Sequence, residues 1–377
     1  MRKMRAQRSF HVTKQHVNWL AFLTSITLYS ERHHQEESFT IMASIKDVAK
    51  KAGVSTATVS RVLNNHPSVI PETRKAVRDA MDYLCYVPNK SAFQLTGKCS
   101  GLIGVVLPNL VNPHFCELLA TFEEEARYIG KSVIVKTHQN QPQQDKQLLQ
   151  TLVGMGIDGL LWVPTEAERE LAEWLTITNI PVAVVTQVSR FFNSVSINES
   201  KGAESIAEHF IHTGHTSFGF IAQDGVDNRK VSAYSKKITR HGLTVADENQ
   251  FWIPKGEGEK ISEHIATLDI IIEKLTQPNT TCSCLLIYND VAANYVIDGL
   301  KKRGLTLPQD IAIASFDNTL LAQTKKITSV AQPINEIAHL AFQMVNHKKQ
   351  QDNIEMYEIV SRLIIRESSV NINVTTL

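Results

Sequence analysis

Residues 44–64, SIKDVAKKAGVSTATVSRVLN, restrict the possible fold more than any other segment, because they predict two short helices separated by a tight turn. The apolar positions of the first helix have the i, i+3, i+4, i+7 spacing of one buried face: Ile45, Val48, Ala49 and Ala52. Gly53 allows the backbone conformation that a sharp bend requires, and Ser55 can cap the helix that follows.

The second helix has two chemically different faces. Its apolar face consists of Val59, Val62 and Leu63. The opposite face has small, hydroxyl and basic side chains: Thr56, Ala57, Ser60 and Arg61. Such a set near a helix N-terminus suits contact with base edges in the DNA major groove. An ordinary amphipathic helical hairpin would have the same spacing, so geometry alone leaves both interpretations open.

The segment DVAKKAGVSTATVSRVLNN resembles the signature of the lactose-repressor/galactose-repressor (LacI/GalR) family of bacterial transcription regulators. The likeness continues through residues 73–115, TRKAVRDAMDYLCYVPNKSAFQLTGKCSGLIGVVLPNLVNPHF, and more loosely to about residue 366. It implies an all-α helix-turn-helix headpiece, a hinge helix, and an α/β periplasmic-binding-protein-like core of two doubly wound parallel-sheet subdomains. It further implies a homodimeric repressor of carbohydrate genes, with a pseudo-palindromic DNA operator, a sugar-like effector and no cofactor.

The resemblance also assigns DNA-binding positions. In the headpiece these are Ser55, Thr56, Ala57, Thr58, Ser60, Arg61 and Asn64, and in the hinge they are Asn89, Ala92 and Leu95. Leu95 matches the leucine with which paired hinge helices kink the duplex from the minor groove; a leucine in a plain linker is the alternative. Pro71 opens a third helix, whose apolar stripe is Ala76, Val77, Ala80, Met81 and Leu84. Ile70 stands where the family often has serine or threonine, which predicts a poorly capped helix.

Four segments follow from these patterns. We expect an N-terminal extension over 1–41, the headpiece over 42–88, the hinge and linker over 89–100, and the effector-binding and dimerisation core over 101–377. Within the core, the first subdomain is expected over about 101–197 and 333–350, and the second over about 198–328 and 354–370. The chain would pass between them near 197–198, 328–333 and 347–353.

The first 41 residues combine a basic start with a short, partly apolar stretch, a faint outline of a signal peptide. Export would separate a DNA-binding module from DNA, so translation from Met42 is the preferred interpretation. An exported sugar-binding protein is the competing hypothesis, but it leaves residues 44–96 unexplained. The C-terminal SSVNINVTTL has no leucine heptads, which favours a dimer over a tetramer.

Charge is distributed unevenly along the chain. Residues 42–100 have nine Lys/Arg against four acidic residues, and residues 1–41 have six against three. The net charge is therefore +5 and +3 in these segments and −7 over 101–377, although the whole chain has only +1. A small basic module joined to a large acidic one suits phosphate neutralisation by the first and repulsion of DNA by the second.

The cysteines are few and odd in number: Cys85, Cys99, Cys116, Cys282 and Cys284. They do not form a disulfide framework, which favours a reducing cytoplasm. We interpret the Cys282–Cys284 pair as inert thiols, and His209, His212 and His215 as structural rather than metal-binding. The sequence has no Walker loop, HExxH, GxSxG or recognisable pair of catalytic carboxylates, so we expect a protein that is not an enzyme.

From Gly101 onward, apolar runs alternate with amphipathic segments, which predicts parallel sheets covered on both faces. Candidate strands include 102–108, 132–137, 159–164, 181–186, 217–223, 284–290 and 311–317, and candidate helices include 145–154, 199–213 and 291–303.

Ligands of open α/β sheets bind at the carboxyl ends of the strands. Polar or aromatic residues there match positions that the family uses for its effector: Asn112, His114, Phe115, Arg229, Asn289, Asp317 and Gln332. Asp317, Asn289 and Arg229 are the preferred candidates. Each has an alternative: Asn112 and Asn318 as turn residues, Asp290 as a helix cap, and Arg229 as a solvated charge. Thr186-Gln187 and VSAYSKK depart from the family pattern near this site, which predicts an unusual effector or a degenerate site.

Overall fold

The computed structural model describes residues 43–87, 99–139, 141–164, 168–226, 228–254, 261–346 and 354–370. The predicted extension over 1–41 and the hinge residues Asn89, Ala92 and Leu95 lie outside these residues. The chain divides into two compact units, Met1–Asn89 and Lys90–Leu377. We describe each unit by itself.

The described part of the first unit has three helices, α1 (Ile45–Ala52), α2 (Thr56–Leu63) and α3 (Pro71–Tyr83). Their ends are set by local chemistry. Ser44 and Asp47 form a reciprocal capping box at the start of α1, in which the Ser44 backbone N–H donates to Asp47 Oδ2 at 2.8 Å. Gly53 ends the helix with a φ of 65°, in the left-handed region that glycine adopts without strain.

A small apolar core joins the three helices. Its fully buried members are Val48, Ala49, Val59, Val62, Val77 and Ala80, as the spacing predicted. Ala76 was wrongly predicted to belong to the apolar stripe, because it is exposed. The buried face of α3 contains Val77 and Ala80, and the side chain of the residue before Val77 points away from that face. Ile70 precedes α3 without any side-chain cap, which confirms the predicted poor capping.

The second unit contains two six-stranded sheets. The first has the strand order β11-β5-β4-β3-β1-β2, and all its pairings are parallel. Its strands are β1 (Leu102–Leu107), β2 (Ser132–Thr137), β3 (Gly159–Trp162), β4 (Val182–Val185), β5 (Asn193–Ile197) and β11 (Met356–Ile359). The helices associated with it are α4 (Pro113–Tyr128), α5 (Pro142–Gly154), α6 (Glu168–Thr178) and α12 (Ile334–Asn346).

The second sheet has the order β12-β10-β9-β8-β6-β7, and only the edge strand β12 is antiparallel to its neighbour. Its strands are β6 (Phe218–Gln223), β7 (Val245–Ile253), β8 (Cys284–Ile287), β9 (Ala312–Asp317), β10 (Thr328–Ala331) and β12 (Arg362–Ile364). The accompanying helices are α7 (Glu199–His212), α8 (Asn228–Thr239), α9 (Ile261–Leu275), α10 (Asp290–Lys302) and the short α11 (Leu320–Thr324). Two α/β halves are therefore present, and the predicted fold class is confirmed.

The chain passes between the two sheets three times, after β5, after β10 and after β11. The third passage lies at residues 360–361, later than the expected 347–353. The expected boundary is displaced because Met356–Ile359 pairs in parallel with β5, which places these residues in the first half instead of the second.

Candidate nucleic-acid interface and effector site

The outward face of α2 is largely free of contacts within the protein. Thr56, Ala57 and Arg61 are exposed and Ser60 is half-buried, whereas Val59 and Val62 are buried on the other side. No hydrogen bond or ion pair involves the Thr56 or Arg61 side chain within the residues that the structure describes. These side chains are available to an external surface.

Two of the predicted DNA-binding residues have a role inside the helix. Ser55 is the N-cap of α2: its hydroxyl accepts from the Thr58 backbone N–H at 3.1 Å and lies 3.0 Å from the Thr58 hydroxyl. Asn64 follows the last turn, and its side-chain amide donates to the Ser60 carbonyl at 2.6 Å. They fix both ends of the helix, although both remain exposed.

Arg74, which the sequence reasoning did not select, holds the loop between α2 and α3. Its guanidinium donates to Asn65 Oδ1 at 3.3 Å, to the His66 carbonyl at 3.1 Å and to the Val69 carbonyl at 3.4 Å. The planar fork of arginine suits such multiple donation. Arg74 is therefore occupied by the protein, in contrast to Arg61.

In the second unit, the carboxyl ends of β9 and β10 place two of the predicted effector residues in direct contact. Gln332 donates to Asp317 Oδ1 at 2.7 Å. Asp317 has a φ of 102°, which side-chain-bearing residues rarely adopt, and it is only 8% exposed. Strained backbone of this kind clusters at ligand clamps and active sites.

The neighbouring Asp290 is not a helix cap but a buried tether. It accepts hydrogen bonds from the hydroxyls of Ser315 (2.5 Å), Ser329 (2.7 Å) and Thr319 (2.8 Å), and from the Thr319 backbone N–H (2.7 Å). Burial, followed by repulsion from Asp317, raises the pKa of Asp290 to about 6. Asp290 therefore ties the start of α10 to β9, to Thr319 after β9, and to β10.

Asn289 and Asn112, both predicted to contact the effector, are the helix caps at this edge. The Asn289 side-chain oxygen accepts from the Ala292 N–H at 2.9 Å at the start of α10. Asn112 accepts from the His114 N–H at 3.0 Å at the start of α4. The oxygen that would have accepted from a ligand hydroxyl is thus used locally in both residues.

His114 and Phe115 lie in the first turn of α4, with their ring centroids 5.3 Å apart. Phe115 is half-buried against the apolar core. His114 is buried, and neither ring nitrogen has a hydrogen-bond partner among the described residues. A buried donor and acceptor without partners is costly unless a ligand or water satisfies them.

Arg229 is not the inward-facing cation of α8. It is about half exposed, and it forms ion pairs with Glu199 at 3.2 Å and with Glu358 of β11 at 3.4 Å. The next residue, Lys230, has only 13% of its side chain exposed, and its Nζ lies 3.6 Å from Glu199 and 4.8 Å from the Phe316 ring centroid. Lys230 is therefore the more buried of the two cations, and Arg229, the predicted effector residue, is paired with two glutamates.

The two halves of the core are linked at this edge by side chains as well as by the passages of the chain. Glu117 of α4 accepts a hydrogen bond from the Leu320 backbone N–H of α11 at 3.1 Å. The Arg229–Glu358 pair links α8 to the first sheet.

Within the first half, Gln187, at one of the predicted departures from the family, donates to the Pro164 carbonyl at 3.2 Å.

The histidines of α7 and the turn after it are held by hydroxyl groups. A ring nitrogen of His209 lies 2.8 Å from the Ser369 hydroxyl, and one of His215 lies 3.1 Å from that of Ser283. Burial, with the nearby His215 and His212, lowers the pKa of His209 to about 4. Within the described ranges, no group of His, Cys, Asp and Glu side chains has an arrangement that could hold a metal ion.

Family models match both units. The model described as bacterial regulatory proteins, lacI family, matches residues 44–89, and the periplasmic binding protein-like domain matches residues 207–369. The chain therefore combines a LacI-family DNA-binding domain with a periplasmic-binding-protein-like domain. That family consists of transcription regulators and not of enzymes.

The curated relatives are similar over nearly their whole length. Catabolite control protein A of Priestia megaterium is 29% identical over 335 residues, covering 86% of this chain and 98% of the relative. The repressor PurR of Actinobacillus pleuropneumoniae serotype 3 is 28% identical over 344 residues, covering 88% and 100%. These relatives span the headpiece and the core together.

Solved structures have the same fold. The Lac repressor dimer bound to operator and the anti-inducer ONPF superposes with a TM-score of 0.73 at 22% identity, covering 87% of this chain and 99% of that one. A LacI-family regulator from Silicibacter pomeroyi gives 0.72 at 21% identity, covering 86% and 99%. Among the described residues, every helix is too short or too polar to span a bilayer.

Proposed function

We propose that this LacI-family chain is a cytoplasmic, dimeric transcription repressor that is not an enzyme and whose operator affinity is set by a small molecule bound to its core. The observation that carries the proposal is the outward face of α2, where Thr56, Ala57 and Arg61 are exposed without partners among the described residues. This helix lies within the segment that matches the family model.

On DNA, two headpieces would occupy successive half-sites of a pseudo-palindrome. Thr56, Ala57 and Ser60 offer small apolar and hydroxyl contacts, and Arg61 can donate to guanine or to phosphate. Leu95 would wedge into the minor groove at the centre of the operator. The net charge of +5 over residues 42–100 supports binding to the phosphate backbone.

The effector is proposed to bind at the carboxyl edges of the two sheets, near Asp317, Gln332, His114 and Phe115. Asp317 accepts one hydrogen bond from Gln332, and His114 has two ring nitrogens to offer. A polyhydroxyl ligand such as a sugar could use both groups while an aromatic ring covers its apolar face. Catabolite control protein A and PurR are named for carbon and purine control, so sugars and purines form the first panel of ligands.

The test is a selection of the full-length protein against random duplex DNA, followed by a salt titration on the enriched sequence. Enrichment of a two-fold-symmetric site, with affinity that falls steeply as salt rises, is the expected result. Adding pooled sugars or purines should then change that affinity by roughly 5–150-fold. Weak binding without sequence preference, both with and without the pools, would overturn the proposal. An exported sugar-binding protein would give that outcome.

A further inference from the structure

A single carboxylate ties down the first described residues of the core. Asp158 Oδ1 accepts from the Ser100 backbone N–H at 2.7 Å and from its hydroxyl at 3.0 Å, and Asp158 Oδ2 accepts from the Gly101 N–H at 2.9 Å. Lys131 Nζ lies 3.7 Å from the same oxygen, and only 10% of the Asp158 side chain is exposed. Hydrogen bonds to an ionised acceptor are about twice as strong as neutral ones.

The tether involves three strands at once. Asp158 precedes β3, its own N–H donates to the Leu102 carbonyl of β1 at 2.7 Å, and the Ser132 N–H of β2 donates to the Gly101 carbonyl at 2.8 Å. Gly101 has a φ of 73°, a conformation that glycine adopts without strain. The backbone around residue 100 is therefore fixed in direction as well as in position. We call Asp158 with Ser100, Gly101 and Lys131 the joint.

The location of the joint gives it significance beyond stability. Residues 88–98 connect the headpiece to the core, so the chain enters the core through the joint. From there β1 runs between β3 and the edge strand β2, and its carboxyl end leads to Asn112 and His114. Six residues of strand span about 20 Å. Segments between domains usually make few contacts, whereas three hydrogen bonds hold the chain where its described part joins the core.

We infer that Asp158 is a positioning residue, which fixes the direction in which the chain leaves the core and so sets the spacing of the two headpieces on DNA. This inference rests on the proposed function. Because the joint holds Ser100 and Gly101 to β1, β2 and β3, a rotation of the first half of the core also moves the point at which the chain enters it. With a loose joint, each headpiece would still bind its half-site, but the pair would lose its preferred separation.

The test compares full-length wild type with Asp158→Asn on the duplex enriched by selection and on versions whose half-sites are one or two base pairs further apart. Asparagine keeps the shape but replaces one acceptor with a donor that faces backbone N–H groups. The matched control is Asp310→Asn, because Asp310 accepts from the Thr306 N–H and hydroxyl, each at 2.6 Å, in a turn of the second half.

We expect the wild type and Asp310→Asn to discriminate between spacings, and the discrimination to fall by about fivefold or more in Asp158→Asn, within the usual range of coupling between sites. The affinity ratio is independent of the folded fraction, so a purely structural role would leave it unchanged. Ser100→Ala, which removes one donor, should give a smaller loss in the same direction if Asp158→Asn does not fold.

Two failures are distinguishable. A wild type that selects no symmetric site overturns the proposed function, and the inference with it. A wild type that discriminates between spacings, together with an Asp158→Asn or Ser100→Ala protein that discriminates equally well, overturns the inference alone.

Discussion

The outward face of α2 and the carboxyl edge of the second sheet are both rich in polar groups, but the protein uses those groups differently. Thr56 and Arg61 of α2 have no side-chain partners among the described residues. At the sheet edge, Asp290 accepts four hydrogen bonds, Asn289 caps a helix and Arg229 is paired with two glutamates. One surface is left open for a partner, and the other is mostly engaged in holding strands and helices together.

This difference separates binding from stability. A side chain without partners in the protein can be removed at little cost to folding, whereas a buried acceptor of several hydrogen bonds cannot. Because most polar groups at the sheet edge already have hydrogen-bond partners in the protein, only a few of them are available to bind a ligand. Asp317, which retains an oxygen beyond the one that Gln332 engages, and His114 are the groups best placed to do so.

The largest effect is expected for Asp290→Ala. Three residues, Ser315, Thr319 and Ser329, lose a common buried acceptor, and each unsatisfied donor costs roughly 1–3 kcal/mol, so we expect a loss of about 4 kcal/mol in the free energy of unfolding. Chemical denaturation would measure it, with Asp298→Ala on the exposed face of α10 as the control. Equal stability of the two variants would show that the tether is unimportant.

The second effect is a pH dependence from the same carboxyl group. Its pKa is about 6 in the folded protein against an ordinary value of 3.8 for an aspartate, so the stability contributed by Asp290 is complete below about pH 4 and is lost as the pH rises through 6. A shift of about two pH units corresponds to about 3 kcal/mol. The difference in unfolding free energy between wild type and Asp290→Asn, followed from pH 4 to 7, should change by up to that amount. A difference that is constant over this range would contradict the shift.

The third effect tests the open surface. Arg61→Ala should weaken binding to the selected duplex by about 1–3 kcal/mol, because a base or phosphate contact is lost, and leave the melting temperature of the headpiece unchanged. Arg74→Ala is the matched comparison, because Arg74 donates three hydrogen bonds within the protein. It should lower the melting temperature. The comparison of the two surfaces fails if Arg61→Ala destabilises the headpiece as much as Arg74→Ala does.

The smallest effect is a gain. Ile70→Ser should stabilise the headpiece by about 1 kcal/mol, because the N-cap of α3 has no side-chain hydrogen bond and serine supplies one. Ile70→Ala, which removes the same exposed apolar surface without adding an acceptor, is the control. Thermal unfolding should rank serine above alanine, and equal melting temperatures would argue against a capping defect.

The sequence predicted the headpiece well because its information is local. The 3.6-residue period, Gly53 and the missing cap at Ile70 each act within one helical turn, and all three are seen in the structure. The alternation of strands and helices likewise predicted seven strands of the two sheets, whereas β5, β7, β10, β11 and β12 were not among the candidates. β11 was missed because Met356–Ile359 is a mostly exposed edge strand without an apolar run, so only its pairing with β5 reveals it.

The details of the effector site could not be predicted in the same way. Neighbouring residues on a helix point about 100° apart, so the choice between Arg229 and Lys230 depends on where α8 starts relative to the sheet. The strand ends did predict which segments would meet. They could not show that Asn112 and Asn289 would be used as caps, because a cap and a ligand contact require the same residue type.

The late third passage of the chain has a consequence for synthesis on the ribosome. The first sheet contains β1 through β5, all made before residue 198, but its edge strand β11 comes only at Met356–Ile359. During translation, β5 therefore remains unpaired on one side while β6 to β10 of the second half are made. An unpaired strand edge is a template for aggregation, so the two halves of the core cannot mature as independent folding units.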